Sequence, residues 1–261
     1  MSESIIREPE LAEINPEWEA FEKQFPIPPL LGSPQQLRQL KFPKANSPPV
    51  GFSIRDVEVP GYQGATNQLR LYTPDDSSEP LPIVIYVHGG GWTIGNLDSE
   101  DKVFDNIDSL GGASDKIIIG GLSAGGNIAA VLAQRAPSVA NITFRGQILR
   151  VPLVVHTDAL PREFDFSSYT ENATAPILPA AAVTQCLGYY GPPPEDIRIS
   201  PLLAKDFSGL SPAYIQVAGA DPLRDDGFAY TERLREAGIP SAVKSDEDLT
   251  DAIKWLLEIE S

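Results

Sequence analysis

The chain has 261 residues, of which 42% are hydrophobic, so it is long enough to build the core of one α/β domain. Its formal net charge is -16 and its pI is near 4.5, which argues against nucleic acid and anionic membrane surfaces as partners. The single cysteine, Cys186, allows no internal disulfide and no thiolate metal cluster. Residues 1–8 lack the features of a signal peptide, and no apolar run is long enough to span a bilayer, so we expect a cytoplasmic protein.

The N-terminal 45 residues are predicted to form cap helices of a chain that folds as a single domain over residues 1–261. Apolar side chains recur at intervals of three and four residues, as on one face of a helix, at Leu11, Ile14, Trp18, Phe21 and Phe25. A second short helix is predicted from Pro34 to Leu40. These helices form either a lid or a plain packing element.

A strand pair and a central strand follow. Residues 52–59 and 67–72 predict a hairpin, and the continuous apolar run at residues 82–87 predicts a strand buried on both faces. That strand leads into His88-Gly89-Gly90-Gly91-Trp92, where consecutive glycines leave backbone N–H groups uncovered, as an oxyanion hole requires. The alternative is a mobile glycine loop. We expect His88 to tie the loop down by hydrogen bonds and to take no part in catalysis.

A Gly-x-Ser-x-Gly sequence then stands between a predicted strand and a predicted helix. Residues 116–119 are an apolar, β-branched run, and residues 128–133 are small and apolar. A sharp turn between two such elements leaves no room for side chains beside Ser123, which accounts for Gly121 and Gly125, and it exposes the serine hydroxyl. This pattern predicts a nucleophile elbow, and a plain glycine-rich turn is the alternative.

The next strand is predicted at residues 146–155 and ends before His156. Residues 157–212 are rich in proline and are expected to form a cap and pocket insert with one helix at residues 180–190. Aromatic side chains of this insert either line the pocket or form the core of the cap, at Phe164, Phe166, Tyr169, Tyr189 and Tyr190.

Asp221 lies just beyond another predicted strand, at residues 213–219. Chemistry in open parallel sheets gathers at the carboxyl ends of the strands, so this carboxylate is a candidate catalytic group. A helix is predicted from Pro222 to about Ala237, and Asp221 is alternatively only its N-cap.

The three motifs together resemble the hormone-sensitive-lipase-like branch of the α/β-hydrolases, in a style similar to fungal esterases of specialised-metabolite pathways. They are His88–Trp92, Gly121–Asn127 and Gly219–Gly227. The resemblance implies an α/β-hydrolase fold with a mostly parallel sheet. It implies that Ser123 is the nucleophile and Asp221 the acid of the triad. It also implies an oxyanion hole of backbone N–H groups from Gly89, Gly90, Gly91 and Ala124. No metal, nucleotide or flavin signature is present, so no cofactor is expected.

The chain departs from this family at two points. It contains two histidines, His88 and His156, and neither stands where the family has its base, usually in a His-Gly-Phe sequence after the last strand. About 25 residues are missing after Lys244, including that base and most of the last strand. A second gap, between Val103 and Phe104, removes a buried strand and a helix. The sheet is therefore expected to be one or two strands short.

Three functions remain open from the sequence. The chain is a serine esterase that acts on a small-molecule ester or lactone, a non-catalytic binding protein like the plant gibberellin receptors, or a truncated and inactive esterase product. A serine hydroxyl needs a base, and His156 is the one alternative candidate for it. Without a base we expect the chain to be nearly inactive.

Overall fold

The computed structural model describes residues 14, 16–40, 51–75, 81–99, 116–135, 138, 144–245 and 249–258. The strands in these ranges are β1 Phe52–Pro60, β2 Thr66–Pro74, β3 Ile83–Val87, β4 Ile117–Leu122, β5 Gly146–Arg150, β6 Ala213–Gln216 and β7 Ser241–Lys244. The helices are α1 Pro16–Gln24, α2 Pro34–Leu37, α3 Ala124–Arg135, α4 Ser168–Glu171, α5 Ala180–Tyr190, α6 Arg224–Glu236 and α7 Leu249–Glu258. None of these helices is long and apolar enough to cross a membrane.

Five of the described strands form one parallel sheet in the order β3-β4-β5-β6-β7. The strand β4 lies inside this sheet, and its Ile118 and Ile119 are completely buried. Strands β1 and β2 pair with each other as an antiparallel hairpin, as the alternating pattern predicted. The fold is therefore α/β with a parallel sheet flanked by helices, and the predicted class is confirmed.

Helices cover both faces of the parallel sheet. On one face, α3 packs against β3, β4 and β5, and α6 packs against β6 and β7. On the other face, α7 contributes Ile253 and Leu256 to a cluster with Ile118, Ile148 and Tyr214. This arrangement buries both sides of β4 and β5, which explains why the sequence of β4 is apolar without alternation.

Several predicted boundaries were wrong. The strand expected at residues 146–155 ends at Arg150, because Val151 has a φ of 36°, a left-handed conformation that ends the extended backbone. The strand expected at residues 213–219 ends at Gln216. We expected most of the last strand to be missing, yet β7 forms and pairs with β6 over four residues. The predicted gap after Val103 lies outside the described residues.

Candidate active site

Ser123 stands at a strained turn between β4 and α3. Its φ is 54°, a left-handed conformation that costs a non-glycine residue on the order of 1–3 kcal/mol. Its backbone is nevertheless satisfied, because Ser123 N donates to Arg150 O at 2.8 Å and Ser123 O accepts from Asn127 N at 2.9 Å. The structure thus has the strand, turn and helix that the sequence predicted around this serine.

Two glycines make this turn possible. A Cβ atom on Gly125 would collide with the carbonyl oxygens of Val87 and His88, and one on Gly121 would collide with the backbone of Gly125. The beginning of α3 therefore lies directly against the end of β3. This contact brings the serine beside the glycine loop that follows β3.

The loop after β3 lines the same cavity as Ser123. The cavity has a volume of about 530 Å³, and Ser123 shares its wall with Gly89, Gly90 and Gly91. Gly90 and Gly91 have φ values of 125° and 56°, and a Cβ on Gly90 would collide with Ile94 O. Only glycine fits such a turn without strain. Ala124 is the remaining predicted N–H donor of the oxyanion hole. It follows Ser123 directly, is the first residue of α3 and is buried.

Neighbouring side chains hold this loop in place. His88 Nδ1 donates to Gly89 O at 2.7 Å, as expected from the sequence. Thr93 Oγ1 donates to Gly91 O at 3.0 Å, and Arg38 Nε donates to Thr93 O at 3.3 Å. The indole of Trp92 stacks on the ring of Tyr190 with centroids 5.0 Å apart. These contacts order the glycines, so the alternative of a mobile loop has no support in the structure.

Asp221 reaches the cavity from beyond β6. Its Oδ1 accepts a hydrogen bond of 2.7 Å from Leu223 N. Burial raises the pKa of Asp221 to about 6, and the Leu223 N–H opposes this shift. The N-cap residue of α6 is Leu223 and not Asp221, so the simple capping role is wrong.

A network of buried polar groups fixes the segment that carries Asp221. Asn172 Nδ2 donates to Gly219 O and Asp221 O, each at 3.0 Å. Asp226 accepts from Val154 N at 2.9 Å and from Tyr169 OH at 3.1 Å, and burial raises the pKa of Asp226 to about 8. Sequence reasoning missed Asn172 and Asp226, although a run of two aspartates at the start of a buried helix was a usable signal.

Neither histidine lines the cavity. His88 is engaged beneath the glycine loop, and His156 N donates to Ser200 Oγ at 2.9 Å. His156 Nδ1 accepts from Asp158 N at 3.0 Å and thereby caps a short 3-10 turn at Thr157–Ala159. The structure does not bring His156 to Ser123, so His156 is not the base of this site.

The cavity wall is mostly aliphatic, whereas aromatic side chains of the insert were one expectation for it. Tyr189 and Tyr190 are 43% and 49% exposed, and Phe164 and Phe166 pack against the main core. None of the five predicted aromatic residues lines the cavity. Aliphatic residues of the insert and of the N-terminal segment do so, namely Leu30, Leu37, Ile177, Leu178 and Val183.

A protein-family model described as the α/β hydrolase fold matches residues 101–253. Carboxylesterase NlhH of Mycobacterium tuberculosis is 35% identical over 250 residues, which cover 78% of this chain and 76% of that enzyme. The aligned length exceeds the covered part of this chain, so some positions of that enzyme have no counterpart here.

Similar proteins also occur among fungi and among solved structures. Versiconal hemiacetal acetate esterase stcI of Emericella nidulans is 29% identical over 217 residues, covering 68% of this chain and 75% of the enzyme. The crystal structure of vibralactone cyclase superposes with a TM-score of 0.83 and 22% identity, covering 98% of both chains, and this likeness concerns the fold.

Proposed function

Because this chain belongs to the α/β-hydrolase fold family, we propose that its cavity binds a small-molecule ester or lactone with the reacting carbonyl beside Ser123. One observation carries the proposal: the strained serine, three glycines of an ordered loop and a half-buried carboxylate line one apolar cavity. Its volume of about 530 Å³ suits a small organic ligand.

The proposed roles follow from acyl-transfer chemistry. Ser123 Oγ is the nucleophile, and Asp221 is the acid that would orient a base. The N–H groups of the glycine loop and of Ala124 donate to the oxyanion that develops on the attacked carbonyl, which is the largest electrostatic contribution in such sites. The glycine donors are Gly89, Gly90 and Gly91.

Turnover by the chain alone is expected to be very slow. A serine hydroxyl needs a base to accept its proton, and neither His88 nor His156 lines the cavity. In a serine hydrolase, loss of the histidine costs several orders of magnitude in rate and leaves about 10³-fold over water from binding and the oxyanion hole. We therefore expect a carboxylesterase-type hydrolase that binds its ligand and turns it over poorly.

The relatives and the cavity wall favour an apolar acetate ester or lactone. The wall is mostly aliphatic and contains no Lys, Arg or His. The fungal relatives are named for hydrolysis of versiconal hemiacetal acetate, which supports a role in a specialised-metabolite pathway. A non-catalytic small-molecule-binding protein is the second candidate, because the same cavity is present and its base is absent.

Thermal-shift measurements with short-chain esters and lactones test ligand binding. We expect such compounds to raise the melting temperature of the native chain. Val183→Phe fills part of the cavity and should remove the shift, whereas Thr184→Phe, on the exposed side of the same helix, should keep it. If no ester or lactone stabilises the chain, the proposal fails, and a broad melt without cooperativity would favour a truncated, inactive esterase product.

A further inference from the structure

We propose that Val151 and Ile177 are the specificity-determining side chains of the cavity. Val151 excludes ligands that branch directly beside the ester group, and Ile177 limits the width of the ligand at the mouth. The inference rests on the proposed function and deepens it, because it names the shape of the ester that the site accepts. That ester is narrow, aliphatic and unbranched next to its carbonyl or its ester oxygen.

The first observation is where the strained parts of the backbone lie. The described residues other than glycine that have a positive φ are Gln63, Trp92, Ser123, Val151 and Ile177. All of them except Gln63 line the cavity. Residues in such conformations persist only where the surrounding structure enforces them, and they gather at functional sites. Strain in the described backbone is therefore concentrated around the proposed ligand.

Two of these residues have separate explanations for their conformation. The turn between β4 and α3 imposes it on Ser123, and the indole of Trp92 stacks on Tyr190 and packs against a core cluster. Val151 and Ile177 have no such role, since neither belongs to a core cluster formed by the described residues. Core packing therefore does not account for their side chains.

The residue types at these two positions are the second observation. Val151 and Ile177 are β-branched and have φ values of 36° and 65°, a region that suits glycine and is least suited to branched side chains. The same cavity has glycine at Gly90 and Gly91, where an added Cβ would collide with neighbouring atoms. Valine and isoleucine instead keep a costly side chain, so the side chain itself serves the cavity.

Val151 lies beside the nucleophile. Arg150 O accepts the hydrogen bond from Ser123 N at 2.8 Å, and Val151 N donates to Gln216 O at 2.8 Å. Hydrogen bonds on both sides thus fix the backbone that carries Val151, and a β-branched side chain has little rotational freedom of its own. An ester whose carbonyl lies at Ser123 presents its adjacent carbon atoms to this rigid side chain. A tertiary carbon at that place collides with it.

Ile177 lies at the mouth, because its side chain lines the cavity and is also 36% exposed. Leu178 N donates to Pro176 O at 2.7 Å, so Ile177 is the central residue of a γ-turn, in the rare and strained form with positive φ. Ile177 O accepts from Leu30 N at 2.7 Å, which ties the turn to the N-terminal segment. A turn held in this way presents a rigid side chain to an entering ligand.

Three isomeric esters test the role of Val151. Butyl pentanoate is unbranched, butyl pivalate branches on the acid side, and tert-butyl pentanoate branches on the alcohol side. One methylene in an apolar pocket changes the preference by about 10–200-fold. We expect the native chain to bind butyl pentanoate at least about tenfold more tightly than one of the branched isomers. Val151→Gly should reduce that ratio to less than about threefold, measured as dissociation constants by calorimetric titration.

A broad aromatic ester tests the role of Ile177. We expect Ile177→Gly to improve the binding of 2-naphthyl pentanoate, relative to butyl pentanoate, by at least about tenfold. Val151→Gly should leave this second ratio unchanged, because Val151 lies beside Ser123 and not at the mouth. The two variants therefore change different ratios.

The matched control is Gln63→Gly. It removes the same kind of strain at an exposed residue that does not line the cavity, so both ratios should stay within about twofold of the native values. Val151→Thr keeps the branched shape and should keep the native preference. Val151→Ala and Ile177→Ala remove the branch but keep a side chain, and they repeat the test where a glycine variant does not fold.

The outcomes separate this inference from the proposed function. Native ratios in Val151→Ala and Ile177→Ala, in a native chain that binds esters, would overturn the inference and leave the proposed function intact. A change of equal size in Gln63→Gly would also overturn it, since the effect would then come from the backbone and not from the cavity wall. If no ester binds to the native chain, both the inference and the proposed function fail.

Discussion

Ser123 and Asp221 owe their properties to neighbours that are distant in sequence. The serine takes its left-handed backbone because β3 packs against the beginning of α3, and Asp221 is held by Asn172 from the insert. A spacing motif was enough to predict Ser123. The contact with Asn172 spans 49 residues and follows no local pattern, so it could not have been predicted.

The partly desolvated carboxyl of Asp221 should make stability depend on pH. Burial raises its pKa from 3.8 to about 6, so between these values the unfolded chain releases a proton that the folded chain keeps. The contribution of the Asp221 carboxyl to folding stability is therefore complete below its unfolded pKa of 3.8. This contribution is lost as the pH rises to about 6. Relative to the native chain, we expect Asp221→Asn to gain up to about 3 kcal/mol over this window, measured by denaturant unfolding.

The matched variant for this experiment is Asp206→Asn. The pKa of exposed Asp206 is lowered by hydrogen bonds from Ser208, so its charge stabilises the fold above the unfolded pKa. Its replacement should therefore become relatively less stable as the pH rises. If the difference between Asp221→Asn and the native chain stays constant from pH 4 to 6, the carboxyl of Asp221 is not desolvated as described.

At the level of whole elements, the conformation of single backbone residues decides where strands end, and close approach between backbones decides where only glycine fits. The β5 strand ends because Val151 has positive φ, although its N–H still donates to Gln216 O on the neighbouring strand. The apolar run through Val155 could not reveal this, since buried loop residues and buried strand residues have the same composition. The glycines of the elbow, in contrast, indicated in advance that the turn between β4 and α3 is tight.

Alanine substitutions of two helical glycines, Gly125 and Gly188, should have opposite effects on stability. Gly125→Ala places a Cβ against the carbonyl of Val87, a strand atom that cannot move aside, and should cost more than about 3 kcal/mol of unfolding free energy. Gly188→Ala in α5 meets no atom within 4 Å and should stabilise the chain by about 1 kcal/mol. Denaturant unfolding measures both. Native-like stability of Gly125→Ala would refute the tight contact.

In the whole molecule, the order of the motifs was sufficient to predict the parallel sheet and its flanking helices. The apolar runs predicted the strands, and the glycines after β3 and β4 indicated the edge of the sheet at which the site lies. The cavity wall was harder to predict, because it combines Leu37 of the N-terminal segment with Val183 of the insert. Aliphatic residues that line a cavity and those that fill a core have the same sequence pattern.

The two departures from the family, after Val103 and after Lys244, also concern the edges of the sheet. The short β7 still completes one edge by pairing with β6. At the other edge of the described sheet, Ile83 and Ile85 of β3 are 46% and 44% exposed, so the prediction that this strand is buried on both faces was wrong. Between these edges, the serine, the glycine loop and the carboxylate of the proposed site nevertheless line one cavity.

The most direct measurement is kcat/KM for p-nitrophenyl butyrate, for the native chain and for Ser123→Ala. When a serine hydrolase lacks its base, removing the nucleophile as well costs little further, because the two groups act as a unit. The two values should therefore agree within about tenfold. A native chain that exceeds Ser123→Ala by about 10³-fold or more would show that a base reaches Ser123 and would contradict this account.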